Sequence, residues 1–162
     1  MTKPTLIEPD PRLDLVLDRV VDVPSDLVWK AWTEPEHLKH WLAPRPWRVS
    51  ECKVDLRPGG LFHFLMEGPD GGRSDNVCCY LEIVPQRRLV WTDTLIAGWR
   101  PAANAFFGMT AVIALEPMGR QTRYVATVLH RDEEGRRKHE EMGFYDGWGT
   151  TLDQMVEHIK GL

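Results

Sequence analysis

Large apolar residues recur near the C-terminus at positions 144, 148, 152, 155, 156 and 159. Steps of four, four, three, one and three put Phe144, Trp148, Leu152, Met155, Val156 and Ile159 on one stripe of an α-helix. Asp153, Gln154, Glu157 and Lys160 fall on the opposite side, and Gly161 stands where a helix stop is expected. A stripe of Phe, Trp, Leu and Met needs a broad apolar surface to lie on. The segments before it have the period of strands.

Residues 1–12 carry Pro4, Pro9 and Pro11 without periodicity and read as a flexible N-terminal arm. Residues 13–162 then form a single domain. Leu13, Leu15, Leu17 and Val21 alternate with Asp14, Asp18 and Asp22, the pattern of a half-buried strand. Pro24-Ser25-Asp26 breaks it, with Ser25 the expected N-cap of a short helix through Trp32. Thr33 and Glu36 have capping-box spacing around Pro35 and predict a second short helix, with Leu38, Trp41 and Leu42 on its apolar side. Strands follow at Trp47–Leu56, Leu61–Glu67, Asn76–Val84, Arg88–Thr94, Phe107–Glu116 and Thr122–His130. Turn signals such as Arg57-Pro58-Gly59-Gly60 and Gly68-Pro69-Asp70-Gly71-Gly72 separate them. Residues 95–106 read as an irregular apolar loop. A charged helix is expected from Asp132 to Met142, ended by Gly143. Strands in a run, followed by a helix, predict an α+β fold with an antiparallel sheet. One helix cannot fill the whole face of a twisted sheet, so a gap between the two is expected, and such gaps hold ligands.

Composition narrows the function. A net charge of −4 argues against nucleic acid, which calls for a basic stripe. No apolar run is long enough for a membrane span, and no h-region follows Lys3, so no secretory signal is expected. The three cysteines have no CxxC spacing, which predicts neither disulfides nor a zinc site and fits a cytoplasmic protein. Cys78 and Cys79 are adjacent and face opposite ways in a strand, so one of them can reach a pocket. Seven tryptophans point to cores, pockets and interfaces.

Four ordered blocks resemble a known family. They are Asp18-Arg19-Val20-Val21-Asp22-Val23-Pro24-Ser25 with Val28-Trp29-Lys30-Ala31-Trp32-Thr33-Glu34-Pro35-Glu36-His37-Leu38 and Trp41; Asp55-Leu56-Arg57-Pro58-Gly59-Gly60-Leu61-Phe62; Tyr80-Leu81-Glu82-Ile83-Val84-Pro85 with Arg88-Leu89-Val90-Trp91-Thr92; and Gly147-Trp148 with Leu152 and Met155. Together they resemble the Hsp90-ATPase-activator-homologue-like family of the START-like, helix-grip (SRPBCC) superfamily, over about residues 13–160. The resemblance implies a curved antiparallel sheet wrapped around the long C-terminal helix, two short helices after the first strand, and a cavity between sheet and helix. Bacterial members are often labelled polyketide cyclase-like. The eukaryotic activator carries a further N-terminal domain for which this sequence has no room, so a chaperone partner is not the preferred expectation.

Within that frame, the helix is expected to present Phe144, Trp148, Thr151, Leu152 and Met155 to a ligand. The sheet offers Phe62, Phe64 and Met66 in one phase, Trp91 and Asp93 in another, and Tyr124. Trp99, Phe106 and Phe107 are expected to form a flexible lip. Val156 and Ile159 are assigned to plain core. Gly147 is expected to let helix and sheet pack closely. Asp93, Tyr124 and Thr151 are the polar groups able to orient a ligand. No catalytic residue, metal ligand or cofactor motif stands out: G-x-S-x-G, P-loop and dinucleotide fingerprints are all missing. His37, His40 and His63 read as solvated. His139, with Glu140 and Glu141, reads as an exposed helix face, and His130 as a turn cap. The preferred function is binding of a small hydrophobic or aromatic molecule by a monomer or homodimer. The alternatives are a polyketide cyclase/aromatase-like enzyme and an Hsp90-type co-chaperone or stress-response interaction domain.

Overall fold

Alternation in the first strand carries straight into pairing. The computed structural model describes residues 7–162. Part of the arm expected over 1–12 lies outside the described residues, and 7–10 runs without regular structure into a turn at 11–13. β1 (Asp14–Val21) buries Leu15 and Val21 and pairs antiparallel with β9 (Gln121–His130), Leu15 opposite Val128. The other long strands are β2 (Arg48–Val54), β3 (Leu61–Glu67), β4 (Arg73–Val84), β5 (Arg88–Thr92) and β8 (Met109–Met118). They make one antiparallel sheet in the order β1-β9-β8-β5-β4-β3-β2. Register shifts between Val49 and Glu51 in β2, and between Tyr80 and Glu82 in β4, add twist where the sheet curls.

Helices α1 (Ser25–Thr33), α2 (Pro35–Trp41), α3 (Glu133–Glu141) and α4 (Phe144–Lys160) complete the fold. α4 lies in the grip of the sheet, and the arrangement is the expected helix-grip α+β fold. Its stripe and the inner sheet face share one core with Leu15, Val28, Leu38, Trp41, Phe62, Tyr80, Leu89, Ile113, Val128, Leu152 and Met155. Each such burial contributes about 1.5–3 kcal/mol. Among the described residues, no helix is long and apolar enough to cross a membrane.

Several local expectations are corrected. Ser25 is the first helical residue of α1 rather than its cap; the cap position is Pro24, with no side-chain bond. Thr33 makes no capping box, because it still belongs to the last turn of α1 and its hydroxyl donates back to the Trp29 carbonyl (2.8 Å). The stretch after Thr94 is not irregular throughout. β6 (Leu95–Ile96) and β7 (Arg100–Pro101) form a small hairpin turned by Gly98 and Trp99, both at positive φ.

The largest correction is Gln154. It was expected on the polar side of α4 but is buried. Its amide donates to the carbonyls of Trp41 (3.0 Å) and Ala43 (2.9 Å), and its carbonyl oxygen accepts from the Arg45 N–H (3.0 Å). The chain leaving α2 passes beside α4, so the helix is covered on a second side that its hydrophobic stripe does not announce.

A candidate ligand cavity under the first half of the long helix

Gly143, at φ +92°, separates α3 from α4 and sets where α4 begins. From there the two halves of α4 differ. Leu152, Met155 and Ile159 are packed solid. Phe144, Gly147, Trp148 and Thr151 instead face a cavity of about 300 Å³. The sheet supplies Phe64 and Met66 from β3, Asn76 from β4, Trp91 from β5, Met109 from β8 and Tyr124 from β9. α1 and α2 close one side with Trp32 and Trp41, followed by Leu42 and Pro44. His139 and Met142, with Phe107 from the loop before β8, close the other.

Of the residues expected at a ligand, Phe64, Met66, Trp91, Phe107, Tyr124, Phe144, Trp148 and Thr151 line this cavity. Phe62, Asp93, Trp99, Leu152 and Met155 are not in its lining. Phe62 stacks on Tyr80 (centroids 5.3 Å apart, planes 15°) deeper in the core. Leu152, next to Thr151, and Met155, about one turn further along α4, are packed where no gap remains. Asp93 lies past the end of β5, and its carboxylate accepts the N–H groups of Phe107 (3.2 Å) and Met109 (2.8 Å). It therefore fastens the loop that carries Phe107. Trp99 lies against the β2–β3 turn, where its ring comes within 2.7 Å of where a Gly59 side chain would begin. Neither Cys78 nor Cys79 lines the cavity; both are buried, and burial pushes the Cys78 thiol pKa up.

Periodicity did not single out Trp32 and Trp41 as wall residues, because their place depends on how α1 and α2 fold back over the sheet. Trp32 donates its ring N–H to the Tyr124 hydroxyl (3.0 Å), and Trp41 donates to the Ala31 carbonyl (3.0 Å). Trp91 is buried with its ring N–H unpartnered among the described residues. His139 was read as exposed and is instead buried. It stacks on Phe107 (4.0 Å, 15°) and meets Phe144 edge-on (5.1 Å). A signal did exist: in Glu133–Glu141, Gly135 and His139 are the only uncharged positions, spaced four apart. His130 is buried too. It is bonded to the Leu13 carbonyl (2.8 Å) and to His139 (2.9 Å) rather than capping a turn.

The remaining histidines lie away from the cavity. His37 bonds His158 (2.9 Å) and His40 stacks on it (4.7 Å), so His37 is half-buried rather than solvated. His63 pairs with Asp75 (2.6 Å). Among the described residues, no group of His, Cys, Asp and Glu is arranged to hold a metal ion.

The lining contains no Asp, Glu, Lys or Arg. Its titratable groups are Tyr124 and His139. Burial pushes the Tyr124 hydroxyl pKa up. Burial, and then the neighbouring His130, hold the His139 imidazole down at about 4. Both are uncharged at neutral pH, and so is the whole wall.

Gly147 faces this space, and a Cβ built on it meets nothing within 4 Å. Close helix–sheet packing, the sequence expectation, is therefore not its role. Replacing Gly147 by alanine should raise stability by about 1 kcal/mol, the ordinary helix-propensity gain. Thermal unfolding measures this directly, and a loss of stability would restore the close-packing explanation.

Residues 22–160 match the family model described as activator of Hsp90 ATPase homolog 1-like protein. Among solved structures, the chain is similar to the crystal structure of a Nitrosomonas europaea protein, with 48% identity and a TM-score of 0.91 over 94% of this chain and 97% of that one. A Rhodobacter sphaeroides crystal structure shares the fold at 21% identity and a TM-score of 0.81, covering 97% of this chain and 99% of that one. An AHSA1-like protein from Aeromonas hydrophila, solved by NMR, shares it at 18% identity and a TM-score of 0.71, with 92% and 93% covered. No curated protein matches the chain.

Proposed function

This chain belongs to the activator of Hsp90 ATPase homolog 1-like family, and from that premise we propose that it binds a small, uncharged hydrophobic or aromatic molecule between the sheet and the first half of α4. The observation that carries the reading is the wall: aromatic and apolar over most of its area, with a few polar atoms and no charge. Burying an ionised ligand against such a wall would cost several kcal/mol with nothing to offset it. An aromatic ligand is received by Phe64, Trp91, Phe144 and Trp148. An engineered apolar cavity of about 150 Å³ takes one benzene, so this larger space suits a molecule of one or two rings.

The wall favours binding over the cyclase-like alternative. It holds no Ser, Cys or carboxylate. Its histidine and tyrosine titrate far from neutrality, where a general acid or base works poorly.

Titration with N-phenyl-1-naphthylamine, an uncharged fluorescent probe, tests the reading. We expect saturable, one-to-one binding that Gly147→Phe abolishes while the variant keeps its native circular dichroism. Non-saturating fluorescence, or a variant that binds as the parent does, would remove the cavity from the account.

A further inference from the structure

One residue of the wall, His139, has its tautomer fixed by a chain of hydrogen bonds. The Leu13 carbonyl lies 2.8 Å from His130 Nδ1. A carbonyl only accepts, so His130 Nδ1 carries a proton, and in the neutral ring Nε2 is left with a lone pair. His139 Nδ1 lies 2.9 Å from that Nε2 and must donate to it. His139 Nε2 is then an acceptor. It has no partner among the described residues, although the residue is only 7% exposed. It is also not one of the polar atoms sealed from all accessible space. The ring cannot easily turn away, being stacked on Phe107 with Phe144 against its edge.

A second wall residue leans the same way. The Asn76 amide donates to the carbonyls of Phe64 (3.3 Å) and Ser74 (3.0 Å), which fixes which end is nitrogen. Its Oδ1 is left as a further acceptor without a partner among the described residues. A ligand made only of carbon and hydrogen would leave these acceptors unsatisfied, at a cost.

We infer that the molecule held in the cavity is a flat aromatic bearing a hydrogen-bond donor, such as a phenolic hydroxyl or a ring N–H, which it delivers to His139 Nε2. His130 is the positioning residue that fixes the tautomer. The inference rests on the proposed binding role of the cavity. Burial keeps both imidazoles in the neutral form on which the chain of bonds depends.

The test compares 2-naphthol with 2-methoxynaphthalene, which has the same rings and no donor, by calorimetric titration of the full chain at neutral pH. The parent protein should bind 2-naphthol about tenfold more tightly, the value of one net hydrogen bond. His139→Phe keeps an aromatic ring against Phe107, removes the acceptor and should abolish the preference. Long-range nitrogen NMR of the parent protein gives a second readout that needs no variant. The unprotonated nitrogen of His139 should shift on adding 2-naphthol and stay in place with 2-methoxynaphthalene. Equal affinities in the parent, a preference surviving in His139→Phe, or an unmoved nitrogen would each overturn the assignment while leaving the apolar cavity standing. If neither molecule binds, the binding role itself falls, and the assignment with it.

Discussion

Acidification from pH 6.5 towards pH 4 should strip about 3 kcal/mol from the folding stability of this protein through His139 alone. The folded imidazole has its pKa held at about 4, against an ordinary 6.5, because it is buried and lies beside His130. The unfolded chain therefore takes up the proton first. The stabilisation is complete above pH 6.5 and drains away as the pH falls to the folded value, by about 1.4 kcal/mol per unit. His130 acts in the same direction. Burial is the largest influence and lowers its pKa; the Leu13 carbonyl and Asp14 raise it, Arg136 lowers it and Asp93 raises it, and the net shift is downward. Urea unfolding followed by tryptophan fluorescence across this range should show the midpoint falling steadily, and His139→Phe should flatten most of the slope. A parent midpoint that does not move with pH would mean that the two rings are not held neutral.

Gln154→Leu is expected to cost about 3 kcal/mol. Leucine fills a similar volume, so packing is nearly conserved and the loss comes from hydrogen bonding. The carbonyls of Trp41 and Ala43 and the N–H of Arg45 all lose their partner at once. For a domain of this size the unfolding temperature should drop by about 6–12 °C. The same segment brings Leu42 and Pro44 to the cavity wall, so probe binding should weaken as well. A variant as stable as the parent would show that water replaces the amide, and that this clamp does not hold the helix.

The long elements were legible because a half-buried strand and an amphipathic helix write their periods into side-chain polarity. β3 has the bounds that alternation of Phe62, Phe64 and Met66 predicts, and Phe144 and Trp148 face the cavity as their stripe suggests. Gln154 was illegible because a polar side chain buried against backbone carbonyls has the same letter as one in water. His139 was masked by the charges around it in α3. Asp93 shared a strand phase with Trp91, but the strand ends between them, and past that end phase says nothing about direction. Trp32 was read only as the end of one short helix and Trp41 as part of the apolar side of the next. What they face is set by tertiary folding, which local spacing does not encode.

The unequal halves of α4 separate what keeps the fold from what shapes the cavity. Past Thr151 the helix is locked by Leu152, Gln154, Met155 and Ile159, and changes there are paid for by the whole fold. Before it, Gly147 borders the cavity with nothing within 4 Å of where a side chain would begin, so a new side chain there alters the shape of the hollow. One helix thus carries an end that holds the fold and an end that shapes the cavity. On the proposed function, substitutions along that one turn are expected to change which molecule fits while the fold is kept.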